Sequence, residues 1–118
     1  MIVVVAGSRS VTDGRVVAAA VTASGFNVTE VVSGTCHGVD RLAERWAAAR
    51  GIPVARFPAD WRLGRRAGVL RSTAMLRYAA AQGGALIAIW DGVSRGTRHT
   101  IDLAHQHSVP VYLHRVSG

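Results

Sequence analysis

Val28-Thr29-Glu30-Val31-Val32-Ser33-Gly34-Thr35-Cys36-His37-Gly38-Val39-Asp40-Arg41 decides the fold. A short, β-branched apolar run reads as a strand. It passes into a small-residue loop with glycines four apart, and the loop opens a helical pattern. The unit occurs twice more. Ile2-Val3-Val4-Val5-Ala6 runs into Gly7-Ser8-Arg9-Ser10, and Leu86-Ile87-Ala88-Ile89-Trp90 runs into Asp91-Gly92-Val93-Ser94-Arg95-Gly96-Thr97. Strand, small-residue loop and helix N-terminus together make an anion site. Glycines let backbone approach closely, free N–H groups point outward, and the helix dipole favours negative charge. Three such loops on one sheet imply a ligand that carries phosphate.

Working outward, strand and helix patterns alternate along the whole chain. That alternation predicts an α/β fold: a parallel sheet of about five strands with helices on both faces. Strands are expected at about 2–6, 28–33, 53–57, 85–90 and 109–114. Helix one starts at Thr12 or Asp13, an N-cap, and Gly25 closes it. Helix two covers about 38–50, with Val39, Leu42, Ala43, Trp46 and Ala47 on a buried stripe. A long helix at about 65–82 turns Val69, Leu76 and Ala80 inward and stops at Gly83-Gly84. Helix four covers about 97–107. The strand-to-helix loops are richer in Gly, Ser and Arg than the returns. Function is therefore expected at the carboxyl edge of the sheet, near its topological switch point.

At 118 residues the chain reads as one domain, 1–118, with enough apolar sequence for a core. Its apolar runs are far too short to cross a membrane. Met1 leads directly into a strand, so no signal peptide is expected. A lone cysteine, Cys36, fits a cytoplasmic protein. The net charge is +7, and all fourteen basic residues are arginine. Arg56, Arg62, Arg65, Arg66, Arg71 and Arg77 crowd the middle of the sequence and suggest one positive surface.

No lysine is present, which excludes an ordinary P-loop. Gly7-Ser8-Arg9 is too short for a dinucleotide fingerprint. It reads as a tight turn whose N–H groups and guanidinium grip phosphate, or as a plain β-to-α turn. Asp40, in the first turn of helix two, either caps that helix or accepts from a ribose hydroxyl. Ser94 and Thr97 add hydroxyls to a second phosphate cradle with Gly92 and Gly96. His105 and His107, two apart, share no helix face, and no zinc spacing is present. Neither metal nor cofactor is expected.

The ordered series of loops resembles the SLOG superfamily, most closely its YspA/YpsA-related branch. The resemblance rests on Ala6-Gly7-Ser8-Arg9, Val32-Ser33-Gly34, Gly38-Val39-Asp40-Arg41-Leu42-Ala43, Pro58-Ala59-Asp60-Trp61, Ala67-Gly68 with Arg71 and Met75, and Asp91-Gly92 through Thr97. It implies a Rossmann-like fold, a nucleotide-derived ligand, and a homo-oligomer paired through helices beside the site. LOG phosphoribohydrolases, which cleave the N-glycosidic bond of nucleoside monophosphates, are a more distant relative. Arg71 matches their arginine segment and Gly96-Thr97 the end of their phosphate loop. Their glutamate is missing, because Arg98, His99 and Thr100 occupy that stretch. DprA, a single-stranded DNA protein, has a similar Ser-Gly to Gly-Ile-Asp loop. A DNA groove, however, normally adds stacking aromatics, and only Trp61 is placed for that role. Ser72 also departs from the Arg-Asn pair common in the YspA branch.

The sequence thus predicts a protein that senses or sequesters an ADP-ribose-like molecule or a mononucleotide. Gly7, Ser8, Arg9, Gly34, Gly92, Ser94, Gly96 and Thr97 would hold phosphate. Asp40 would meet ribose, Arg71 would approach from the long helix, and Trp61 would cover the base. Nucleotide N-glycoside hydrolysis and single-stranded nucleic-acid binding are the alternatives.

Overall fold

A computed structural model describes residues 1–117. Five strands form one fully parallel sheet in the order β3-β2-β1-β4-β5. They are β1 (Ile2–Gly7), β2 (Glu30–Ser33), β3 (Val54–Arg56), β4 (Ala85–Trp90) and β5 (Val111–Arg115). The helices are α1 (Gly14–Ser24), α2 (Val39–Ala49), α3 (Arg66–Ala80) and α4 (Arg95–Gln106). A short 3-10 turn, Trp61–Leu63, precedes α3. The alternating pattern therefore folds as a Rossmann-like α/β domain. After β3 the chain crosses back to lay β4 beside β1, so the switch point lies between these two strands.

Successive strand side chains point to opposite faces, and the sheet is covered on both. Val3, Val5, Val31, Ile87 and Ile89 meet α1 and α2 through Val17, Ala20, Val39, Ala43 and Ala47. Val4, Val32, Leu86 and Ala88 face the other way, against Met75, Leu76 and Ala79 of α3 and Leu103 and Ala104 of α4. Asp13 caps α1 by accepting from the Arg15 N–H, and Gly25 ends that helix at φ +71°. Both features match the sequence signals.

Two expectations are corrected. In α3, Val69 and Ala80 are exposed, and the buried stripe is Ala67, Ser72, Met75, Leu76 and Ala79. The first turns of α3 flank the cleft described below, so Val69 lines that cleft instead of the core. The central arginines do not share one surface. Arg56 pairs with Glu44 and Arg62 with Asp60, whereas Arg65 and Arg71 line the cleft. Their neighbours in sequence are separated by the turn at 61–63 and the 3.6-residue period of α3.

Candidate ligand-binding site

A cleft of about 660 Å³ opens at the carboxyl ends of β1 and β4. The β1–α1 loop forms one wall, the start of α4 another, and the first turns of α3 with Trp61 a third. Cys36 and Asp40 form the inner end. Of the residues singled out from sequence, Gly7, Ser8, Arg9, Asp40, Trp61, Arg71, Ser94, Gly96 and Thr97 all line it. Gly34 and Gly92 do not.

Backbone geometry explains why glycine stands at these places. A Cβ on Gly7 would lie 2.3 Å from the Ile89 carbonyl oxygen and 2.8 Å from Val39 Cγ2. Gly38 has φ +78°, and a Cβ there would lie 2.6 Å from the backbone of Ser8 and Arg9. The Val39 N–H donates to the Ser8 carbonyl at 3.4 Å. The N-terminus of α2 is thus occupied by the neighbouring loop. Gly34 sits behind the cleft, where a Cβ would strike Arg71 Nη1 and Asp40 Oδ2. Gly92, at φ +84°, makes room for the Arg115 guanidinium. These four glycines bring chain segments together, and of them Gly7 also borders the cleft.

Ser8 is a latch. Its N–H donates to the Ile89 carbonyl at 3.1 Å, and its buried hydroxyl accepts from the Asp91 N–H at 3.3 Å. Asp91 in turn accepts from the Val93 and Ser94 N–H groups, both at 2.8 Å. Those N–H donors hold its carboxylate below the ordinary range. Trp90 Nε1 donates to the Ser94 carbonyl at 3.0 Å, which fixes the same loop from its far side. What remains free is informative. Among the described residues, the N–H groups of Arg9 and Ser10 find no protein acceptor, nor do those of Arg95, Gly96 and Thr97 in the first turn of α4. Ser94 and Thr97 place their hydroxyls 3.2 Å apart at that helix start.

Arg71 reaches in from α3. Its Nη1 donates to the Gly34 carbonyl and approaches Cys36 Sγ at 3.5 Å, while its buried Nε has no partner. Asp40 accepts from the Cys36 N–H at 3.0 Å through Oδ2. Burial pushes its carboxyl up to about 6, against the opposing pull of that N–H and of Arg71. Asp40 therefore changes charge close to neutral pH.

Sequence reasoning missed Arg65, Ser72, Arg95, His99 and Thr100 in the lining. Arg95 and His99 are four apart at the start of α4, so their shared helix face was the available signal. Thr100 donates to the Gly96 carbonyl at 3.0 Å and adds no acid to this wall. Four arginines, Arg9, Arg65, Arg71 and Arg95, line the cleft. None of them is in a salt bridge among the described residues, where the pairs are Arg15–Asp13, Arg56–Glu44 and Arg62–Asp60. Trp61 remains 59% exposed beside them, whereas Trp46 lies under the Arg50 guanidinium and Trp90 under that of Arg115.

A family model described as the YspA, cpYpsA-related SLOG family matches residues 1–64. The chain belongs to this family. The matched part runs from β1 through the turn at Trp61 and includes the Gly7–Arg9 and Gly34–Arg41 loops; Arg71 and the loop at 91–97 lie beyond it. The chain is also similar to the Gene 61 protein of Mycobacterium phage D29. The two are 38% identical over 87 residues, which covers 69% of this chain and 67% of the relative. No described helix is long and apolar enough to cross a membrane.

Proposed function

We propose that the cleft binds a nucleotide or nucleotide-derived molecule through its phosphate groups, and that the domain senses or sequesters that ligand. One observation carries this reading. Four arginines, none in a salt bridge among the described residues, share a cleft with two sets of free backbone N–H groups. Guanidinium forks and helix N-terminal N–H groups both suit phosphate oxygens. The N-terminus of α4, with Arg95 and the Ser94 and Thr97 hydroxyls, takes one phosphate. Arg9 and the N–H groups of the β1–α1 loop take a second, as in an ADP-ribose-like molecule. Asp40 Oδ1, which has no donor among the described residues, accepts from a ribose hydroxyl, and Trp61 stacks on a base. Membership of a SLOG family agrees with a nucleotide-type ligand.

A second reading, N-glycoside hydrolysis, draws on Asp40. It is the cleft carboxyl whose charge burial opposes, whereas Asp91 is held by backbone N–H groups. A buried acid titrating near neutrality suits general acid–base work. The wall at Thr100 supplies no second carboxylate, so binding without turnover is the favoured reading.

A melting-temperature screen against nucleotides and nucleotide sugars tests it. A ligand at about 100 times its Kd adds about 2.7 kcal/mol. In a domain of this size that is a rise on the order of ten degrees. The rise should change little between low and physiological salt, because few charges are neutralised. Arg71→Ala should weaken the ligand roughly tenfold to a hundredfold, the loss of a charge-assisted hydrogen bond. Chromatography of the same mixtures should recover the nucleotides intact. A screen flat for every nucleotide would overturn the binding reading. Release of free base that stops in Asp40→Asn would replace it with the hydrolase.

A further inference from the structure

The loops 8–12 and 36–41 form a ridge, and the nucleotide cleft lies on one side of it. Ser10, Cys36 and Asp40 border the cleft, whereas Val11, His37 and Arg41 border a second hollow of about 520 Å³ on the far side. The two loops touch at Gly38, where a side chain would strike the Ser8–Arg9 backbone. The outer hollow is a groove along the exposed side of α2. Arg41 and Arg45, one helical turn apart and both exposed, line it with Arg56. Glu44 is its carboxylate, and it is already engaged by Arg56 Nε at 2.9 Å and by the Ser33 hydroxyl at 2.7 Å. Arg41 and Arg45 have no salt-bridge partner among the described residues. On the crest between the hollows stand the exposed Arg9 and His37.

We infer that this outer groove is a second binding site, one that takes the sugar-phosphate backbone of a single-stranded nucleic acid without reading its sequence. The charge supports it: two unpartnered guanidinium groups about 5–6 Å apart at Cβ present their forks to successive phosphates. Charge alone carries the inference, and the lining confines contact to the backbone. It contains no aromatic side chain on which a base could stack. Its apolar members, Val11, Leu42 and Ala48, give the sugars a surface to lie against. The groove and the cleft use different residues, so strand and nucleotide can be bound independently.

Fluorescence anisotropy of a labelled oligothymidylate, titrated at several salt concentrations, reads this site. The native protein should bind with an affinity that falls steeply with salt. In the double variant Arg41→Ala/Arg45→Ala, the slope of log affinity against log salt should become shallower by about 1.4, roughly 0.7 for each lost phosphate contact on a single strand. The nucleotide-induced melting shift of the double variant should equal that of the native protein, which also shows that it is folded. Absence of strand binding at low salt, or an unchanged slope in the double variant, overturns the inference. Loss of the nucleotide shift together with strand binding in a folded double variant overturns the independence of the two sites. A flat nucleotide screen beside a strand slope that responds to Arg41 and Arg45 would sink the cleft reading and leave this one standing.

Discussion

Asp40 concentrates at one residue the tension that defines the cleft. The residue is 6% exposed, and its carboxyl accepts one backbone N–H and is pushed by burial up to about 6 from an ordinary value of 3.8. Between those values the folded state holds the proton more tightly than the unfolded state. Stability therefore falls as pH rises from about 4 to about 6, and the full cost persists above that window. Asp40→Asn keeps an acceptor for the Cys36 N–H and removes the charge. It should raise stability at pH 7.5 by an amount on the order of 3 kcal/mol at most, and change it little below pH 4. Urea unfolding at the two pH values measures this; a gain no larger at pH 7.5 than at pH 4 would show that Asp40 bears no buried-charge cost. A position in the first turn of a helix was legible from spacing alone, whereas Arg71, as a residue approaching from the long helix, was legible only through the family resemblance. Their shared dependence on the 34–36 backbone was not, because the two lie more than thirty positions apart in sequence and meet only through the crossover from β2 to α3.

At the scale of elements, the loops gain their shape from contact with one another. Gly38 is the clearest case, with a positive φ and no room for a Cβ against the Ser8–Arg9 backbone. Gly51 also has a positive φ, +67°, but nothing lies within 4 Å of its would-be Cβ. Gly51→Ala should cost about 1–2 kcal/mol, the ordinary penalty of a left-handed residue. Gly38→Ala should cost about 3 kcal/mol or more, because backbone must move as well. Denaturant midpoints at constant m-value compare the two; equal losses would mean that loop packing does not fix Gly38. The strands were the most legible elements. Leu86-Ile87-Ala88-Ile89 is buried on both sides, and β4 spans Ala85–Trp90, the range that its apolar run predicts. The buried face of α3 was legible at Leu76 but not at its start, because Val69 and Leu70 are apolar yet stand at an exposed end of the helix. The turn at 61–63 was also missed: it is set by Asp60 accepting from the Arg62 N–H, a local bond that no periodicity reports.

Across the whole molecule, the net charge of +7 resolves into distinct surfaces. Arg9, Arg65, Arg71 and Arg95 face the cleft, while Arg41, Arg45 and Arg56 face the outer groove. Composition announced a basic protein, but only the fold could divide the arginines, since each group comes from several elements. The sheet order places the switch point between β1 and β4, and the free N–H groups of Arg9, Ser10 and Arg95–Thr97 stand on either side of it. That arrangement is the basis for the proposal that the cleft takes a phosphate-bearing nucleotide. Amide chemical shifts of isotope-labelled protein, followed by NMR through a titration with the best nucleotide from the melting screen, test the assignment most directly. The amides of Arg9, Ser10, Arg95, Gly96 and Thr97 should move together and saturate with one Kd, because a hydrogen bond to phosphate shifts each of them, while those of Arg41 and Arg45 stay near their free positions. Saturable shifts confined to α2 and the outer groove, with residues 9–10 and 95–97 unmoved, would contradict it.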